Sequence, residues 1–216
     1  MPNVDLHTHS IASPDGGIRL EQYVDVLESG LLDCLAITDH DTISAALELH
    51  QTLGDRIIVG EEITTAEGEI IGLFLKEPVQ PKLSVKETAK AIKAQGGLVY
   101  IPHPFETVRK GLDEFSLAAI RDLIDIIEVH NGRAVFQNKG SQAVAWAKVH
   151  HKAACASSDA HGMKGLGTTY TSIPEMPTAD TLVAQLGHGR LTTGKPPLIT
   201  LLYPKANRLK KRRNKQ

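Results

Sequence analysis

At 216 residues, 41% of them apolar and 23% charged, the chain is long enough for one full-sized core and has an ordinary globular composition. No apolar run approaches the ~18 residues of a membrane span. Met1-Pro2-Asn3-Val4-Asp5 also lacks the basic start and apolar stretch of a secretory leader, so a cytoplasmic protein with no membrane role is expected. The net charge of −1 hides an asymmetry: no acidic residue follows Asp180, and the last stretch holds Lys205, Arg208, Lys210, Lys211, Arg212, Arg213 and Lys215. Taking these seven from 24 basic residues leaves 17 against 25 acidic ones, a body of net charge −8. The expected organisation is one domain over residues 1–203 and a basic, disordered tail over 204–216. The tail reads as a solvated terminus dispensable for turnover of a small substrate, with contact to nucleic acid or another polyanion as the alternative. Cys34 and Cys155 each lie in a short apolar run and are expected to be buried free thiols.

In chain order, Val4–His7 is a short apolar strand. Leu20–Ser29 is a helix with Tyr23, Val24 and Leu27 on one face, stopped at Gly30. Asp33–Thr38 reads as a buried strand and Ile43–Leu53 as a helix closed by Gly54. Arg56–Thr64 and Glu69–Leu75 are β-like and pair as a hairpin across Ala66-Glu67-Gly68. Ser84–Gln95 is helical, with Ser84 and Glu87 in capping-box spacing. Leu98–Ile101 is a strand, Leu117–Leu123 a helix, Ile126–Val129 a strand, Gln142–His151 a helix, Ala153–Ser157 a strand and Thr181–Leu186 a helix. This alternation of strand and helix predicts an α/β barrel, or else an open doubly wound sheet.

The ten histidines are placed unevenly. His7 and His9 follow the first strand in Asp5-Leu6-His7-Thr8-His9-Ser10, and residues two apart on an extended chain project to one side. Asp39-His40-Asp41 follows the second strand, Glu61-Glu62 lies in the third, Pro102-His103-Pro104 follows Leu98–Ile101, and Ser158-Asp159-Ala160-His161 follows Ala153–Ser157. A lone histidine at a strand end is ordinarily a hydrogen-bonder. Five strands each delivering a His or carboxylate at the C-terminal edge form a joint pattern that structural use does not explain. His50, His150, His151 and His188 fall on helices or their ends and read as surface residues. Imidazoles mixed with carboxylates, and no thiolate nearby, suit Mn, Zn or Fe rather than a structural zinc site, and a carboxylate such as Glu62 can bridge two ions. Arg109 and Arg133, each just past a strand end, are candidates to bind a substrate phosphate. The alternative for Arg109 is an ion pair with Glu106 or Asp113, and for Arg133 a solvent-facing helix start.

Taken together, Asp5-Leu6-His7-Thr8-His9-Ser10, Thr38-Asp39-His40-Asp41, Gly60-Glu61-Glu62-Ile63, Pro102-His103-Pro104 and Ser158-Asp159-Ala160-His161 resemble the polymerase and histidinol phosphatase (PHP) superfamily. The resemblance implies a distorted (β/α)7 barrel with two or three divalent ions at the C-terminal strand ends, hydrolysing phosphate esters with activated water. It implies that His7, His9, Glu62 and Asp159 hold a first metal. Asp15, in Ser13-Pro14-Asp15-Gly16, would hold a second with His40 and His161. His103 would serve a third bridged through Glu62, where many relatives place a further His and this chain has Glu69; His130, in Glu128-Val129-His130-Asn131, is a rival for that place. Glu62, Asp159 and His161 would stand at the catalytic centre. Only 40 residues separate Glu62 from His103, leaving no room for the helical insert of some relatives, so an open cleft is expected. The expected partner is a small phosphorylated substrate: a nucleotide, a short oligonucleotide or a similar organic phosphate. Histidinol phosphate is the runner-up, and a non-catalytic metal-binding regulatory module is the alternative of another class.

Overall fold

Short runs rich in Val and Ile, each followed by an amphipathic segment, fold as strands covered by helices. The computed structural model describes residues 1–135 and 137–213. Seven strands stand side by side in chain order: β1 (Asn3–Asp5), β2 (Cys34–Ile37), β3 (Ile57–Thr64), β4 (Glu69–Leu73), β5 (Leu98–Ile101), β6 (Ile126–Asn131) and β7 (Ala153–Ser157). Neighbours are parallel except at β4, which runs antiparallel to both β3 and β5. The two ends of the series meet just beyond β1 and β7, where Thr8 bridges Ala160 and His9 N donates to Ala160 O at 2.9 Å. The result is the distorted seven-stranded barrel expected from the sequence. Two further strands, β8 (Thr169–Ser172) and β9 (Arg190–Thr193), extend the sheet antiparallel beside β1; neither was evident from periodicity.

Alternation along the strands builds two cores. Leu35, Ile37, Ile57, Val99, Ile101 and Ile127 pack outward with the apolar faces of the helices. Cys34, Ala36, Ile58, Tyr100, Ile126 and Cys155 alternate with them and fill a second cluster together with Leu182 and Leu186. The covering helices are α1 (Leu20–Glu28), α2 (Ser44–Leu53), α3 (Val85–Ala94), α4 (Glu114–Ile120), α5 (Gly140–Val149) and α6 (Leu182–Leu186). The capping box expected at α3 is formed: Glu87 N donates to Ser84 Oγ at 3.3 Å, and Ser84 N to Glu87 Oε2 at 3.1 Å. Helix α4 starts three residues before the expected Leu117 because Asp113 caps it, accepting from Ser116 N at 2.8 Å. Both cysteines are buried and unpaired, and burial pushes both thiols up.

The tail departs from expectation. Residues Tyr203–Arg213 form a helix, α7, not a disordered segment. Four cations in its last turn complement the helix dipole, and Asn207, Arg208 and Lys211, spaced to share a face, are held by the body of the protein. Lys215, counted with the basic tail, lies outside the described residues. Among the described residues no helix is long and apolar enough to cross a membrane.

Candidate metal centre

The strand ends converge on a few buried side chains. β1 stops at Asp5, two residues short of the expected end, and the bridge at Thr8 leaves His7 and His9 flanking it with their Nε2 atoms 3.1 Å apart. Glu62 Oε2 lies 3.5 Å from His7 Nε2, 3.3 Å from His9 Nε2 and 3.3 Å from His40 Nδ1. Its other oxygen is 3.2 Å from His103 Nε2. Asp159 Oδ1 stands 3.7 Å from His7 Nε2, 3.5 Å from His9 Nε2 and 3.3 Å from His161 Nδ1. Asp15 Oδ2 is 3.6 Å from His40 Nε2 and 3.5 Å from His161 Nε2. His103 and Asp159 both adopt left-handed backbone (φ 39° and 51°), strain that persists only where surroundings fix the residue.

Three sets of donors are close enough to hold an ion: His7, His9 and Asp159; His9, Asp15, His40 and His161; and His7, Glu62 and His103. The donor set fits divalent metal. His7 Nδ1 faces Glu128 Oε1 at 3.2 Å, so its Nε2 is aimed at a second imidazole and two carboxylates in a buried place. Acceptors crowded in this way need protons or cations between them. Burial opposes ionisation of Glu62, yet His40 and His7 outweigh it and hold the carboxyl well below its usual range. Asp159 is likewise held low against burial, by Arg133 and His7. Burial, with His161 beside it, drives His9 down to about 3, keeping that imidazole neutral and able to ligate.

β4 brings one more carboxylate. Because it runs antiparallel, its first residue, Glu69, pairs with Thr64 at the same rim where the parallel strands end. Glu69 belongs to none of the three donor sets; its Oε1 is 3.5 Å from Lys110 Nζ, and burial together with the charge of Glu62 raises its carboxyl to about 7. His130 is half-buried and outside all three sets. The reason is a slip in the β6–β7 pairing between Glu128 and His130, a bulge that brings Asn131, in place of His130, to the side that Glu128 faces.

A family model described as PHP-associated matches residues 139–191, which include Asp159 and His161. Uncharacterized protein MJ1587 of Methanocaldococcus jannaschii is 38% identical over 141 residues, 59% of this chain and 80% of its own length. Uncharacterized protein MJ0417 of the same organism is 32% identical over 182 residues, 80% of this chain and 71% of its own. The chain belongs to one family with these two proteins, and its residues 139–191 match the PHP-associated model. A crystal structure of a two-domain protein from Bacteroides vulgatus, containing a predicted PHP-like metal-dependent phosphoesterase, has the same fold at a TM-score of 0.74. That likeness has 19% identity and covers 96% of this chain and 69% of the other.

Around the cluster lies a cavity of about 260 Å3, with Arg109, Lys110, Arg133 and Arg208 in its walls. Arg109 spends its donors on protein: Nε and Nη2 on Glu106 at 2.9 and 2.6 Å, and Nη1 on Asn131 at 2.5 Å and Asp159 at 2.8 Å. Arg133 Nη1 donates to both Asp159 oxygens at 3.2 Å, while no bond from its Nη2 is found among the described residues. The residues missed from sequence are those that hold the ligands. Glu128 receives Tyr100 Oη at 2.7 Å, His103 N at 2.9 Å and Asn131 Nδ2 at 2.8 Å, and fixes the ring of His7. Such carboxylate–histidine support is worth about 10- to 100-fold in metal affinity. Glu128→Gln is therefore expected to weaken metal binding by about that factor in a metal titration; unchanged affinity would leave Glu128 a packing role only.

Proposed function

We propose that this PHP chain is a metal-dependent phosphoric ester hydrolase acting in the cytoplasm on a small organic phosphate such as a nucleotide or short oligonucleotide. The observation that carries the reading is the convergence of five imidazoles on Asp15, Glu62 and Asp159 at the floor of a cleft with cationic walls. In this reading His7, His9, Glu62 and Asp159 hold one ion and Asp15, His40 and His161 a second, with His9 in reach of both. His103 and Glu62 serve a third, with Glu69 at its edge. The donors suit Mn, Zn or Fe. Ions held there supply Lewis acidity and lower the pKa of water to near neutrality.

The chain's own residues do the positioning. Glu62 sits between three imidazole donors on one oxygen and His103 on the other. Arg109, Asn131 and Arg133 lock Asp159 in one orientation, which preorganises the centre. Arg133, with a donor to spare, faces the cleft where an anionic ester would lie.

Turnover of the Mn-loaded protein is measured against a panel of phosphomonoesters and diesters that includes histidinol phosphate. Hydrolysis of at least one nucleotide-type ester is expected. Preference for histidinol phosphate would move the substrate, and no turnover at all with metal fully bound would favour a non-catalytic metal-binding module.

A further inference from the structure

Helix α7 lies across the cleft. Asn207 Nδ2 donates to Asp15 O at 2.8 Å and to His161 O at 3.0 Å, clamping the loops that carry two members of the second donor set. Lys211 Nζ donates to Ile11 O at 2.8 Å, to Gly16 O at 2.9 Å and to Ser13 O, around the loop bearing Asp15. Two glycines allow this closeness. A Cβ on Gly17 would fall 2.8 Å from the Asn207 amide, and one on Gly162, next to His161, 2.6 Å from the Tyr203 ring. The helix is thus seated on the site by fixed hydrogen bonds and by space left for it.

What this docking delivers is Arg208. Its Nη2 donates to Asp15 Oδ2 at 2.7 Å, no other bond from it is found among the described residues, and its side chain is 56% exposed. It lines the same cavity as Arg133. His161 stands between the two: its Nδ1 is 3.3 Å from Arg133 Nη1, and its Nε2 is 3.5 Å from the Asp15 oxygen that Arg208 holds. Arg109, by contrast, has Nε and both Nη atoms engaged by protein groups. Beside Arg133, the guanidinium with donors to offer an incoming anion is the one on α7.

We propose that Arg208 is a substrate-binding residue that, with Arg133, grips the terminal phosphate of the ester from the two ends of the His161 ring. The inference rests on the phosphoesterase reading for the word substrate, but not for the anion site itself. Two planar forks match the oxygens of a terminal phosphate, the group a monoester presents. The basic C-terminus then acts as a wall of the cleft, and removing it removes part of the site.

Inorganic phosphate is the probe, titrated calorimetrically into the full-length, metal-loaded protein. KM, kcat and bound metal are measured in parallel for the wild type, Arg208→Ala and Arg208→Lys. Arg208→Ala is expected to weaken phosphate binding and raise KM by about 10- to 100-fold, with kcat within about threefold and metal content unchanged. Arg208→Lys, which keeps the charge but not the fork, recovers part of the loss. Circular dichroism matching wild type shows that the fold is kept. Unchanged phosphate affinity in Arg208→Ala, a wild type that binds no phosphate, or a loss that tracks loss of metal would each overturn the proposal. If the wild type binds phosphate through Arg208 yet hydrolyses no ester, the hydrolase reading falls and the anion site stands. If esters are hydrolysed with the same KM and phosphate affinity in both proteins, the anion site falls and the hydrolase stands.

Discussion

Glu62→Gln is expected to lower kcat/KM by at least about a thousandfold while leaving the far-ultraviolet circular dichroism spectrum unchanged. Glu62 is the carboxylate with the most imidazole neighbours: His7, His9 and His40 approach one oxygen and His103 the other. Glutamine has the same shape, so the buried packing survives. It exchanges an anionic oxygen for an amide N–H pair aimed where cations belong, which reverses the electrostatics of the floor. Asp159 is a less clean position to delete. It holds two guanidinium groups, Arg109 Nη1 at 2.8 Å and Arg133 Nη1 at 3.2 Å; alanine there would strand the largely buried Arg133, leave Arg109 with Glu106 as its carboxylate, and cost stability as well as activity. Kinetics and metal content measured together decide the case: near-normal turnover by Glu62→Gln at saturating metal would remove Glu62 from the catalytic centre.

Stripping metal is expected to abolish turnover and to lower Tm. Elemental analysis of gently purified protein should find two or more divalent ions per chain, because three donor sets share eight ligand residues and a single four-coordinate ion cannot use them. Folding that creates the site is stabilised by whatever fills it, by about 2.7 kcal/mol at a hundredfold excess of ligand over Kd. For a chain of this size that is a Tm difference of roughly 5–10 °C between chelated and loaded protein. Add-back of Mn or Zn should restore both activity and Tm. Full activity in protein shown to be metal-free would end the metal-dependent reading.

Element types and the ligand strings were legible because both are written locally. Runs such as Leu98–Ile101 encode a strand by side-chain type, and His-x-His or Pro-His-Pro just past it places chemistry at the strand's end whatever the rest of the chain does. Their order along the chain implied a barrel, and neighbouring strands do pair in that order. Element ends were less legible. Asp113 capped α4 early, and β1 gave way after Asp5 to the bridge that seats His7 and His9.

What only the tertiary structure decided is which side chains meet. In Glu128-Val129-His130-Asn131 attention falls on the histidine, but one slip of register after Glu128 brings Asn131 inward beside it and leaves His130 outside, and no local pattern announces a bulge. Arg109 stands in the cleft as its position past β5 suggests, yet Glu106, Asn131 and Asp159 take up its donors, a balance set by burial and not by residue type. The basic terminus is the largest case. By composition it is a solvated, disordered tail, since it has few apolar groups to bury. It becomes an ordered helix because acceptors from the site loops, Asp15 and the carbonyls of Ile11, Ser13, Gly16 and His161, are already fixed where its polar face can reach them. Asp15 and Arg208 are 193 residues apart, and over that distance the closure of the barrel, not the sequence near either residue, determines that they touch.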